Sequence, residues 1–380
     1  MKRIAAKTLW LGSHAISNPV ISIEGGRVLD IHSRDEIANS VIDYDFADGT
    51  ITPALCDIHF HGIAGHDVMN ATPEALDDIA CHLARVGVSR FLPTTVTASI
   101  DTTLFALDRI ANFVMSLPSA GRARAVGIHI EGPFLSHGKR GMHPAEHLQV
   151  PSPDLLDRLW EAARGQIRLM TIAPELPGAI ETIKHAASLG IRCSMGHSMA
   201  TRDEALAGLQ SGIISATHTF NAMRSLDHRE PGILGVVLDS DDLYADLICD
   251  GHHVAPEGVR LWLKAKGPER AILITDCLSA AGMPDGVYKT GDTMVRVEGD
   301  ACRTDTGVLA GSVITLDRAV DNLQRITGVQ TGVASLLASR NPSKMLGLPH
   351  VLEIGEEADF VVRGPGDVEK HIFLRGSLVD

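Results

Sequence analysis

Thr52-Pro53-Ala54-Leu55-Cys56-Asp57-Ile58-His59-Phe60-His61-Gly62 reads as a buried β-strand that ends in His-x-His and breaks at glycine. Side chains two apart on a strand point to the same side. His59 and His61 therefore aim at one point, where the strand stops. Neutral imidazole is the commonest metal ligand near neutral pH, and two on one rigid strand make a ready pair. Alone, the pair also reads as two unrelated polar residues at a strand end. The question is whether other strands end in the same chemistry.

From about 51 to 350, short β-rich runs alternate with longer helical segments, the pattern of parallel βα units. Candidate strands are 51–59, 88–94, 125–131, 167–173, 191–196, 213–218, 244–249 and 271–276. Between them Pro73–Val86 and Asp154–Ala163 have helical spacing, Leu176-Pro177-Gly178-Ala179 opens a helix, and Thr201 with Glu204 forms a capping box. Eight such units predict an α/β fold, a (β/α)8 barrel. An open doubly wound sheet is the alternative, but no G-x-G-x-x-G follows an early strand to favour it. Residues 1–51 and 351–380 have an all-β texture, with a hairpin turn at Glu24-Gly25-Gly26-Arg27. Neither end is long enough to bury a core alone. They are expected to join into one small β-sandwich, with 52–350 inserted as the barrel. Asp285–Thr306 has hairpin character and reads as an insertion after the eighth strand.

In such a barrel the C-terminal ends of all strands meet on one face. The third strand ends in His129-Ile130-Glu131-Gly132, the fifth in Gly196-His197-Ser198, the sixth in Thr217-His218-Thr219 and the eighth in Thr275-Asp276. Taken singly, His197 and His218 read as hydrogen-bonded strand-end histidines, Glu131 as a helix cap and Asp276 as an N-cap. Their joint occurrence has one common cause, a shared metal centre. His129 is in phase with Glu131 and is expected to point inward behind it. Four imidazoles (His59, His61, His197, His218) and two carboxylates (Glu131, Asp276) suit Zn²⁺ or another borderline divalent ion, one or two per subunit. Such a centre activates water and polarises a carbonyl. Asp276 can move the proton. This is metal-assisted hydrolysis of an amide or ester.

The chain has 380 residues, a formal net charge of -13 and 44% hydrophobic residues. That favours a folded protein with a large core and disfavours nucleic acid or an anionic membrane as partner. The N-terminal residues do not read as a secretory signal, and no apolar run is long enough to span a bilayer. Six scattered cysteines without a C-x-x-C pair read as reduced thiols of a cytoplasmic protein.

The motifs Pro53-Ala54-Leu55-Cys56-Asp57-Ile58-His59-Phe60-His61-Gly62, His129-Ile130-Glu131-Gly132-Pro133-Phe134-Leu135, Lys139-Arg140-Gly141-Met142-His143, Thr217-His218-Thr219-Phe220-Asn221-Ala222-Met223, Arg229-Glu230-Pro231-Gly232, Asp250-Gly251-His252-His253 and Leu309-Ala310-Gly311-Ser312 carry a resemblance across nearly the whole chain. It resembles the amidohydrolase superfamily, and within it the N-acetylglucosamine-6-phosphate deacetylases. The resemblance implies that Glu131, His197 and His218 are the principal metal ligands, and that His59 and His61 are a second-metal pair kept by some members. It implies Asp276 as catalytic acid/base, and His143 and His253 as contacts to acetamide and sugar. It assigns Asn221, Ala222, Leu309, Ala310 and Gly311 to the substrate. Arg229 matches the arginine that binds the substrate phosphate from the neighbouring subunit, which implies a homodimer. A guanidinium fork suits phosphate oxygens, and Arg229 is preferred here over Lys139 and Arg140. Two rivals stand beside this reading. One is another amidohydrolase, above all the galactosamine epimer's deacetylase. The other is a barrel that has lost catalysis and serves as a scaffold, which would have shed its ligands.

Overall fold

The computed structural model describes residues 1–37, 41–291, 293–367 and 369–379. Eight parallel strands carry the molecule: β1 (Leu55–Phe60), β2 (Val88–Thr95), β3 (Ile128–Glu131), β4 (Ile167–Ile172), β5 (Arg192–Met195), β6 (Ile213–Ala216), β7 (Tyr244–Ile248) and β8 (Ala271–Ile274). They pair in chain order, and a bridge between Phe60 and Cys277, just past β8, returns the last strand to the first. This is a nearly closed (β/α)8 barrel.

Local sequence explains the helices on its outside. Helix α1 (Pro73–Arg85) starts with proline at its first turn and with Thr72 accepting the Ala75 N–H; it buries Leu76, Ile79, Ala80 and Leu83, one stripe of a 3.6-residue period. Between β4 and β6 lie α2 (Ala179–Ser188), opened by Gly178 at φ +82°, and α3 (Arg202–Ser211), which starts with the expected Thr201/Glu204 capping box. Strand residues alternate. Ala271 and Leu273 of β8 face the helices, whereas Ile272 and Ile274 join Cys56, Ile58, Leu92 and Leu169 in a second cluster inside the barrel. Met345 and Leu346 of a helix at Arg340–Leu346 pack into that cluster.

Most expected strands differ from the observed ones by one or two end residues, and two differ in kind. Residues 51–53 belong not to β1 but to a strand of the terminal sheet, Tyr44–Pro53; the chain changes sheets at Ala54. The run 125–131 is split: Arg124–Ala125 pairs with β2, and Gly127, at φ +153°, separates it from β3.

Strand Tyr44–Pro53 pairs parallel to Lys2–Leu11 and antiparallel to Phe360–Arg363, so the two chain ends are stitched into one eight-stranded sheet. This is the small β-sandwich unit. Its core holds Ile4, Leu9, Ile21, Ile51, Phe360 and Phe373. Glu357 ties it to the barrel, lying 2.9 Å from both Arg90 and Arg124. The expected insertion after β8 is a three-stranded sheet, Gly286–Thr290, Thr293–Glu298 and Ala301–Thr304. Among the described residues no helix is long and apolar enough to cross a membrane.

Candidate active site

The C-terminal strand ends bring the ionisable residues together. In β1, Asp57 pairs with Phe91 and Phe60 with Pro93, so this strand uses one residue more than β2 over the same stretch. That bulge re-aims the strand end. His59 Nε2 and His61 Nε2 come to 3.1 Å. Glu131 lies at the hub. Its Oε1 is 3.0 Å from His218 Nε2, 3.1 Å from His197 Nε2 and 3.4 Å from His59 Nε2. Its Oε2 is 3.2 Å from His61 Nε2 and 3.3 Å from His143 Nε2. Asp276 Oδ1 lies 3.2 Å from His61 and 3.5 Å from His59. His197, His218 and Asp276 all stand at positive φ, +48°, +35° and +48°. Strand geometry alone does not put a non-glycine residue there; the turns are held by the packed loops around them.

The hydrogen bonds of the far ring nitrogens sort these imidazoles by role. His61 Nδ1 lies 3.1 Å from the Thr94 carbonyl, His197 Nδ1 2.8 Å from the Lys139 carbonyl and His218 Nδ1 3.2 Å from the Asn221 carbonyl. A carbonyl only accepts, so each Nδ1 carries a proton and each Nε2 is the atom turned to the centre, able to give a lone pair to a metal once it holds no proton itself. His143 is the opposite tautomer. The Thr97 N–H donates to its Nδ1 at 3.2 Å, which leaves Nε2–H as a donor aimed at Glu131. His143 therefore offers a proton where the others offer a ligand atom.

The donor set fits a divalent metal. His59, His61 and Asp276 form one group whose donor atoms lie within 4.8 Å of one another, and Glu131, His143 and His197 form a second. All are buried nitrogens and oxygens. The nearest thiol, Cys277, is 3.3 Å from the Gly62 carbonyl, turned away from the centre. Burial drives the Glu131 carboxyl up, but His59 and the bonds from His143, His197 and His218 outweigh it and hold it well below the usual range. Asp276 is likewise raised by burial and pulled down further by His59 and His61, so it stays ionised. Burial works against a charge on His61, and its bonds to Asp276 and Glu131 overcome that, pushing the imidazole up to about 10. A proton and a metal ion compete for the same Nε2. The metal-free protein holds that proton at neutral pH, so metal binding must expel it and affinity must rise with pH toward 10. Calorimetric zinc titration of the metal-free protein at pH 7.5, in buffers of different ionisation enthalpy, should show release of about one proton or more. Heats independent of the buffer would contradict this.

Beside the centre is a cavity of about 330 Å³, in the range of small-molecule sites. Its wall includes His61, Glu131, His143, His197, His218, Asn221, Ala222, His253, Asp276, Leu309 and Gly311. The Asn221 amide nitrogen is buried there without a partner among the described residues. His253 is aimed by Asp250, whose Oδ2 lies 2.6 Å from its Nδ1. Gly311, at φ +53°, has no room for a Cβ, which would come within 2.8 Å of the Asp276 carbonyl. Three expected site residues lie off this wall, the first being His59, which is fully buried. Ala310 is fully buried, its N–H bonded to the Cys302 carbonyl at 3.1 Å. Arg229 is exposed and away from its own chain's cavity. His129 points inward as expected, its ring centroid 4.7 Å from that of His59 and its Nε2 2.8 Å from Thr171 Oγ1. Sequence reading did not single out Met142, Val308 and Leu278 of the wall, or Thr97 behind it. None carries a chemical signature that a linear reading would catch. Lys139, weighed only for phosphate, also fixes His197 through its carbonyl.

A parallel barrel with imidazoles and carboxylates on its C-terminal face defines a metal-dependent hydrolase of the amidohydrolase type, and distant neighbours of that type, such as an enamidase at 15% identity and TM-score 0.63, share the fold. No family model matches the chain. Known proteins match it along almost its whole length. The N-acetylgalactosamine-6-phosphate deacetylase of Escherichia coli O157:H7 is 36% identical over 99% of this chain and 97% of its own. The N-acetylglucosamine-6-phosphate deacetylase of Homo sapiens is 34% identical over 94% and 90%. The solved N-acetyl-D-glucosamine-6-phosphate deacetylase of Mycobacterium smegmatis superposes with a TM-score of 0.94 at 30% identity, covering 100% of both chains. The chain belongs to the N-acetylglucosamine-6-phosphate deacetylase family of the amidohydrolase superfamily.

Proposed function

We propose that the protein hydrolyses N-acetylglucosamine 6-phosphate to glucosamine 6-phosphate and acetate. The observation that carries this is the convergence of five imidazoles on Glu131, beside Asp276 and a sugar-sized cavity, in a chain of this family. Glu131, His197 and His218 would hold one divalent ion, and His59 and His61 with Asp276 a second; nitrogen and oxygen donors favour zinc. When bound, the metal supplies Lewis acidity toward the acetamide carbonyl and toward water. Asp276 accepts the proton of the attacking water as the new C–O bond forms. It returns that proton to the amine nitrogen as the C–N bond breaks. His143 Nε2–H donates to the carbonyl oxygen as charge builds there. Asn221, Ala222, His253, Leu309 and Gly311, with Ala310 behind them, bind the phosphorylated sugar.

Arg229 would reach the phosphate of the neighbouring subunit's substrate in a homodimer. Its exposure, and the lack of any ion pair from its guanidinium to the described residues, support that role. Arg229→Met should raise KM for the phosphorylated sugar about 10–100-fold, the worth of a charged hydrogen bond, and leave turnover of the unphosphorylated sugar unchanged. Mixing that variant with Asp276→Asn subunits should restore activity by forming dimers with one intact site. No recovery would place the arginine in its own subunit's chemistry. Six cysteines without a disulfide support a cytoplasmic location. We also propose the domain division at 1–51 with 351–380 around 52–350.

The functional test is acetate release by zinc-loaded protein from N-acetylglucosamine 6-phosphate, its galactosamine epimer and unphosphorylated N-acetylglucosamine. Fast release from the first and little from the last supports the reading. A preference for the epimer would support the second reading, favoured by the similarity to the Escherichia coli protein. No release from any of the three would overturn both.

A further inference from the structure

Three of the four ligand imidazoles have their tautomer fixed by a backbone carbonyl, at Thr94, Lys139 and Asn221. The fourth does not. His59 is fully buried, its Nε2 faces the other donors, and its Nδ1 has no partner among the described residues. If Nε2 is to present a lone pair, Nδ1 must carry a proton, and a buried N–H without an acceptor is costly.

The barrel interior beneath the centre holds two carboxylates, Asp57 and Asp246. Asp57 is already taken: its Oδ2 accepts the Thr275 hydroxyl at 2.6 Å and its Oδ1 faces the backbone N–H groups of His59 and Thr275. Asp246 is different. It sits in the middle of β7, where its neighbours on the same face, Tyr244 and Ile248, are apolar core residues. It is 1% exposed, and its carboxylate accepts one donor among the described residues, the His218 N–H. The His218 ring lies 5.6 Å from the His59 ring, centroid to centroid.

We infer that Asp246 is a positioning residue for the His59/His61 metal position, its carboxylate receiving the His59 Nδ1–H through one bridging water. This rests on the metal-dependent reading above and extends it to a residue that never touches substrate. It accounts for an ionisable group in an otherwise apolar strand. It also makes the fourth imidazole obey the rule that the other three obey, since a ligand histidine donates its far N–H to an oxygen.

The test measures zinc binding without substrate, so its failure would leave the deacetylase reading standing. Asp246→Asn keeps an acceptor for the His218 N–H but removes the charge. Chelator competition on the metal-free protein should show zinc affinity falling about 10–100-fold in this variant. In a His59→Asn background the same substitution should have almost no further effect, because the interaction it removes is already gone. A merely structural role would give equal losses in both backgrounds, and that additivity would overturn the inference, as would unchanged affinity in the single variant. Imidazole nitrogen–proton NMR of the zinc-loaded protein gives a second readout. The His59 Nδ1 proton should be strongly deshielded and move upfield in Asp246→Asn; an unmoved signal refutes the carboxylate as its acceptor. Thermal melts of each variant confirm that folded protein is compared.

Discussion

Replacing Asp276 by Asn should lower turnover of the acetylated sugar phosphate about 10³-fold, within the span that a positioned acid or base contributes. The carboxylate is well placed for this task. It is held ionised by His59 and His61, and its backbone is locked: its N–H bonds the His59 carbonyl at 2.9 Å and its own carbonyl accepts the Ser312 N–H at 2.8 Å. Asn fills the same space but accepts no proton. The position at Glu131, His197 and His218 does not depend on Asp276, so that ion should remain. The measurement pairs steady-state rates with metal content by elemental analysis. A rate within about tenfold of the parent would remove Asp276 from the proton path. A collapse of metal content along with the rate would make it a ligand first and a proton carrier second.

Glu131→Gln should have the larger effect on the metal. Its two oxygens face five imidazole nitrogens at 3.0 to 3.4 Å, those of His59, His61, His143, His197 and His218, so it lies between the two proposed ligand sets. An amide keeps the shape, but it turns an N–H₂ toward lone pairs and carries no charge. Affinity should fall by more than the roughly 10–100-fold typical of losing an outer partner of a ligand, and activity should be lost with it. Metal analysis after gel filtration reads the outcome, and circular dichroism checks that the barrel is intact. A variant that keeps a full equivalent of zinc would show that the histidines suffice and that Glu131 is a hydrogen-bond hub only.

Much of this architecture is legible in the chain. The alternation of short β runs with helical segments is local, as are the Thr201/Glu204 capping box, which both appears in the sequence and forms in the structure, and the glycine at 178 that opens α2. The ionisable residues at strand ends were visible because apolar core strands have no reason to carry them. Other features were not legible. The bulge in β1 depends on the register against β2, which no single strand encodes. Residues 51–53 look like the start of the barrel, yet they pair with strands from both termini, which lie far away in sequence. Ala310 sits in a small-residue loop that reads as ligand-facing, but its neighbour Gly311 takes the wall position. Asp246 was in plain view within an apolar run, and its meaning appears only when His59 is seen to lack a partner.

The sequence by itself determined which chemical groups stand at the ends of the strands, because side-chain chemistry and the two-residue period of a strand are local properties. Tertiary structure decided what each group can do there. The tautomer of His197 depends on a carbonyl 58 residues away, and that of His143 on a backbone N–H 46 residues away. Those contacts turn His61, His197 and His218 into lone-pair donors and His143 into a proton donor, although all four are the same amino acid. The folded barrel brings such distant partners within hydrogen-bond reach.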